Sequence, residues 1–156
     1  MIKSSSYKDF YASKSISQIP RILGNMDRNP FSPTYGCCHR DFWLDKTSDF
    51  PDAVRQFGLH ALALVYKHQF PGNIYFNKKK ILDWIIAGLD FWSSIQHKDG
   101  SFDEFYPNER GWVGPTAFTT FTSIETLNLV KSEVTQEFYN KIKSAIYLSS
   151  VFIAKG

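Results

Sequence analysis

Residues 81–102 read ILDWIIAGLDFWSSIQHKDGSF. Ile81, Leu82, Trp84, Ile85, Ile86, Leu89, Phe91, Trp92 and Ile95 recur at helical spacing and cover more than one face, the pattern of a helix buried on two sides. The run breaks at Asp99-Gly100, a pair that turns a chain because glycine accepts positive φ and aspartate caps its own turn. Phe102 then returns as an apolar plug. The spacing predicts a helix over 78–96 closed by a tight turn.

Working outward, similar patterns flank this one. Downstream, Pro115 or Thr116 opens a helix to about residue 129, with Phe118, Phe121, Ile124, Leu127 and Leu129 apolar. Residues 132–135 break it, and a further helix over 136–154 is expected to turn Phe138, Ile142, Ala145, Ile146, Leu148, Val151 and Phe152 inward. Upstream, Pro51 is a helix-starting residue with Ser48 or Asp49 as cap, and broadly apolar residues continue to Gln69 before Pro71-Gly72-Asn73. Before that, a short helix over 7–16 is predicted to stop ahead of Pro20. Residues 21–50 read as irregular, punctuated by Gly24, Asn29-Pro30, Ser32-Pro33 and Gly36. No stretch alternates apolar and polar residues as a strand does. The fold class is therefore all-α: one domain with an N-terminal strap and long loop over 1–50 and a helical-repeat part over 51–156.

A chain of 156 residues can bury a core without disulfides or a metal. Aromatic residues make up 17% of it, with 14 Phe, 8 Tyr and 4 Trp, material for a core and also for lining a sugar or lipid site. The net charge is +3, with the basic residues scattered apart from Lys78-Lys79-Lys80, which reads as a solvated helix start; no nucleic-acid partner is expected. No apolar run is long enough for a membrane span, and the N-terminus lacks the apolar core of a signal peptide. Cys37-Cys38 are adjacent, a geometry that disfavours pairing with each other, and a reducing cytoplasm is the simplest location. No glycine-rich phosphate loop and no metal-ligand spacing are present, so neither cofactor nor metal is expected. The chain stops at Val151-Phe152-Ile153-Ala154-Lys155-Gly156 with an apolar helix barely ended. That reads as one part of a larger or trimmed protein, or as a homo-oligomer.

The helix end Trp92-Ser93-Ser94-Ile95-Gln96 running into Lys98-Asp99-Gly100-Ser101-Phe102 resembles the repeat of α/α-toroid proteins. These include terpenoid cyclases, prenyltransferase subunits, and several polysaccharide lyases and glycoside hydrolases. The resemblance covers residues 81–129, about a third of the chain. It implies antiparallel helix pairs forming a partial α/α toroid. The continuation Asp103-Glu104-Phe105-Tyr106-Pro107-Asn108-Glu109-Arg110 looks like the toroid domain of heparinase II/III-type lyases. Such lyases also use a β-rich domain, which this all-helical chain lacks.

Two loops gather candidate chemistry. In the first, Asp103, Glu104 and Glu109 crowd beside His97, Tyr106, Arg110 and Trp112; acid, base and charge-stabilising groups are what glycoside cleavage or uronate elimination requires. Extended backbone turns Asp103 and Glu104 to opposite sides, so the carboxylates are not expected to act as one pair. Asp99–Phe102 read equally well as the turn of the fold, and Glu109 and Arg110 as a bridge from loop to helix. In the second loop, Asp27, Arg28, Tyr35, His39, Arg40, Asp41 and Trp43 stand close in sequence. Tyr35 and Trp43 could stack on a sugar while Arg28 or Arg40 holds an acidic group; alternatively, the segment is a strap pinned by Arg–Asp pairs.

The candidate catalytic residues are Asp103, Glu104, Glu109 and His39, and the candidate substrate-binding residues are Arg28, Tyr35, Arg40, Trp43, Tyr106, Arg110 and Trp112. The expected function is a carbohydrate-active helical domain binding or cleaving an acidic polysaccharide or glycan. It requires the two loops to meet in space. Two alternatives stand: a non-catalytic scaffold that binds a partner, and an isoprenoid-type site, for which the chain lacks the Asp-x-Asp-Asp acid motif.

Overall fold

The computed structural model describes residues 4–109 and 111–156. They form α1 (Ser4–Asn25), α2 (Arg40–Trp43), a 3-10 turn (Ala53–Phe57), α3 (Gly58–Lys67), α4 (Lys79–Ser94), α5 (Gly114–Val130) and α6 (Gln136–Ile153), with no strand among the described residues. Helix α3 packs on α4 and α5, α6 packs on the same two, and α1 lies against α3. Leu59 and Leu62, Ile85, Leu89 and Trp92, Val130 and Ile142 meet in one core, which Ile19 and Leu23 of α1 join. Each such side chain contributes about 1.5–3 kcal/mol through burial. None of the helices is long and apolar enough to cross a membrane.

Two helix boundaries differ from expectation. Helix α1 does not stop before Pro20 but runs through it to Asn25. A proline inside a helix costs about 3 kcal/mol, and the burial of Ile19 and Leu23 on either side of Pro20 offsets that cost. The segment expected to be irregular from residue 21 thus begins as helix, and it also contains α2. Nor does Pro51 open a continuous helix capped by Ser48 or Asp49. Asp52 is the cap: its Oδ1 accepts the N–H of Val54 at 2.9 Å and starts the 3-10 turn, and α3 follows only from Gly58.

The burial of α5 and α6 also departs from a simple apolar stripe. On α5 the buried face carries Thr116, Thr119, Thr120, Ser123 and Thr126, while Phe118 and Phe121 face solvent. Threonine tolerates this because its hydroxyl can return to the preceding turn: Thr119 donates to the carbonyl of Pro115 at 2.8 Å and Thr126 to that of Thr122 at 2.7 Å. On α6, Leu148 is exposed rather than inward.

Two glycines seat loops on helices in the same way. Gly36 has φ +94°, and a Cβ there would lie 2.1 Å from the Ala87 carbonyl oxygen on α4. Gly100 also has φ +94°, and its Cβ would lie 2.3 Å from the Leu148 carbonyl oxygen on α6. A glutamine amide secures each contact. Gln56 donates to the carbonyls of Gly36 and Gly88, and Gln96 to those of Gly100 and Ala145 and to the Ser149 hydroxyl. Beyond Gly100, Phe102 is fully buried and stacks on Trp92 with ring centroids 4.9 Å apart.

Candidate functional site

The 3-10 turn joins the two loops. On one side, the buried Gln56 accepts the N–H of Cys38 at 2.6 Å, and the N–H of Asp52 donates to Nδ1 of His39 at 3.0 Å. On the other, the N–H of Ala53 donates to the carbonyl of Asp103 at 3.0 Å. His39 and Glu104 are thereby delivered to one open cavity of about 560 Å³, lined also by Asp41, Phe50, Asp52, Arg55, Phe57 and Phe105.

Hydrogen bonding fixes most of its polar groups. Because His39 Nδ1 accepts from Asp52, the neutral ring carries its proton on Nε2, which lies 3.7 Å from Asp41 Oδ2. Burial pushes the His39 pKa down, against the upward pull of Asp52, so the neutral ring is favoured. Asp52 Oδ2 accepts from Nε of Arg55 at 2.9 Å. Burial raises the Asp52 pKa despite the Val54 N–H and the Arg55 charge. The two terminal nitrogens of Arg55 bond nothing among the described residues, and 58% of its side chain is exposed. They remain free to grip a planar anion.

Glu104 has one oxygen, Oε2, shielded from solvent with no hydrogen-bond partner among the described residues. Burial first, then the charges of Asp52 and Glu109, raise its pKa. It holds its proton more tightly than an ordinary glutamate does.

The remaining candidates fall into three groups. Asp103 and Glu109 hold the loop. Glu109 is buried, its Oε2 accepts from the N–H groups of Glu104 (3.2 Å) and Phe105 (3.0 Å), and its own N–H donates to Asp103 Oδ1 at 2.9 Å. His97 Nε2 lies 2.9 Å from Asp103 Oδ2, close enough to pair by charge but off the line of a ring N–H hydrogen bond. Arg28, Tyr35, Arg40 and Trp43 do not line the cavity. The Arg28 guanidinium sits 5.3 Å from the Trp84 ring on α4, and the Tyr35 hydroxyl is raised by burial and by Asp83 and Asp27. Arg40 pairs with Asp45 at 3.2 Å, and Trp43 Nε1 donates to the carbonyl of Asn25 at 2.7 Å. Tyr106 and Trp112 are exposed and do not line the cavity, and Arg110 lies outside the described residues.

Both cysteines are free and buried, and burial pushes the Cys37 thiol up to about 12, away from nucleophilic use. Among the described residues no group of three or more His, Cys, Asp or Glu could hold a metal ion.

Asp52 and Arg55 were not among the expected site residues. Their signal was the i, i+3 Asp–Arg pair directly after Pro51, the pattern of a capped first turn carrying its own ion pair.

Comparison with family models, with curated proteins and with solved structures finds no match to this chain.

Proposed function

We propose that the chain is a carbohydrate-active helical domain, a partial α/α toroid of antiparallel helix pairs, whose cavity binds an acidic glycan. The observation that carries this reading is the convergence of both loops on one cavity, with His39 from the first and Glu104 from the second. Arg55 supplies the counter-charge for a uronate or sulfate, Phe50, Phe57 and Phe105 supply apolar contact for a sugar face, and Glu104 supplies the proton donor that cleavage of a glycosidic bond would use. The two glycine seats, each clamped by a glutamine, support the helical-repeat scaffold.

The test is a thermal shift with galacturonate and glucuronate oligosaccharides. A specific binder stabilises the folded chain by mass action, by about 2.7 kcal/mol at a hundred times Kd, and so raises the unfolding midpoint. The rise should disappear in Arg55→Ala. No rise with either uronate, or a rise indifferent to Arg55→Ala, overturns the reading.

An isoprenoid-type site finds less support. It calls for a closed apolar cavity with an acidic rim, whereas the apolar pocket between α1 and α3 is about 240 Å³ and no carboxylate lines it. A partner-binding scaffold has one observation in its favour: Phe118 and Phe121 on α5 and Tyr147 and Leu148 on α6 are exposed on adjacent helices. Sedimentation equilibrium tests it through self-association, which Phe121→Glu should abolish.

A further inference from the structure

Phe105 lines the cavity of His39 and Glu104, and its ring does not end there. It stacks on Trp112 with centroids 5.5 Å apart and planes 5° from parallel. Trp112 in turn lines a second cavity of about 490 Å³, together with Asp99, Val113, Phe152 and Lys155. The two rings remain 67% and 42% exposed, so this aromatic bridge lies outside the core and presents its surface to solvent. The indole is also held in place: a Cβ on Gly114 would stand 2.5 Å from it, so it packs directly on the start of α5.

The charges repeat on either side of the bridge. Among the described residues the terminal nitrogens of Arg55 bond nothing in the first cavity, and Lys155 makes no ion pair in the second. Asp99 lines the same cavity, and its Oδ1 accepts from the N–H and hydroxyl of Ser101. Two cations separated by a stacked aromatic pair suit a ligand with acidic groups at intervals and apolar ring faces between them.

We infer that the ligand is an acidic oligosaccharide rather than a single sugar, bound across both cavities with the stacked Phe105–Trp112 pair as the platform between them. This rests on the acidic-glycan reading of the first cavity and extends it to the length of the ligand.

Calorimetric titration with galacturonic acid and its dimer and tetramer tests it. The tetramer should bind on the order of tenfold tighter than the monomer, since a second contact adds affinity without a second association cost. Trp112→Ala should remove most of that gain. Lys155→Gln, a change at an exposed side chain, should reduce it while leaving monomer binding in place. Equal affinity at every length, with Arg55→Ala still abolishing all of it, overturns the inference and spares the first cavity. A gain that survives both Trp112→Ala and Lys155→Gln also overturns it. No binding at any length overturns the underlying reading as well.

Discussion

Asp52 and Arg55 form one unit: Oδ2 of Asp52 accepts from Nε of Arg55 at 2.9 Å, while Oδ1 accepts the N–H of Val54 and caps the turn that carries both residues. The same backbone turn donates to His39 through the Asp52 N–H and to Asp103 through the Ala53 N–H. A short segment therefore sets the relative position of two loops more than fifty residues apart.

The two functions of Asp52 separate by substitution. Asp52→Ala removes the cap and should lower stability by about 1 kcal/mol in urea denaturation. Asp52→Asn keeps an oxygen for the Val54 N–H and should cost less than half as much. Both free the Arg55 guanidinium from its carboxylate anchor, so both should weaken uronate binding by about tenfold. Equal destabilisation by Asn and Ala would show that capping is not the cause.

The loop seats make a second test. Gly100→Ala meets both a positive φ and the Leu148 carbonyl oxygen at 2.3 Å, so the chain must shift on α6. A loss of about 3 kcal/mol is expected. Gly72 shares a positive φ, +78°, but has nothing within 4 Å of its Cβ position. Gly72→Ala should cost only the backbone term, about 1 kcal/mol. If the two variants unfold at the same urea concentration, the close approach to α6 contributes nothing.

These elements also show how far the sequence could be read. The helices α4 and α6 were legible from the helical spacing of their apolar residues, whereas the extent of α5 was legible but not its buried face, which is threonine and serine rather than Phe118 and Phe121. The Asp99–Phe102 turn was legible because Asp-Gly is local chemistry. Helix α1 was misjudged at Pro20, where distant packing of Ile19 and Leu23 outweighs a local rule. His39 and Glu104 stood out as ionisable residues in rich loops, but Asp52 did not. Its importance comes from the turn's bonds to chain segments far off in sequence, such as Gln56 to Gly36 and Gly88, and no local pattern reports those. For the same reason no local pattern reports that the candidate catalytic residues Asp103 and Glu109 also tie the loop together through backbone N–H groups.

Glu104 makes stability depend on pH. Its pKa is raised in the folded chain by burial and by Asp52 and Glu109. Between the ordinary Glu value and the raised one, the folded state binds more protons than the unfolded state, so stability falls as pH rises through that window. Glu104→Gln removes this loss. The variant should melt above the parent at neutral pH, and the difference should shrink as pH falls through about 4 and vanish near about pH 3, where the carboxyl is protonated in both states. Melting curves that stay a fixed distance apart from acid to neutral pH would contradict the assignment.

The threonine face of α5 offers the last test, because two neighbouring residues on it should respond differently. Thr120 is buried, and its Oγ1 has no hydrogen-bond partner among the described residues. Thr120→Val exchanges that hydroxyl for a methyl of similar size and should stabilise the protein by about 1 kcal/mol. Thr119 is equally buried, but its hydroxyl donates to the Pro115 carbonyl. Thr119→Val removes a satisfied bond beside the helix start that packs under Trp112, so it should be neutral or destabilising by up to about 1 kcal/mol. Thermal unfolding of the two single variants decides the matter. If Thr120→Val lowers the midpoint as much as Thr119→Val, the Thr120 hydroxyl has a partner after all, and a buried water bridging it to the core becomes the explanation to pursue.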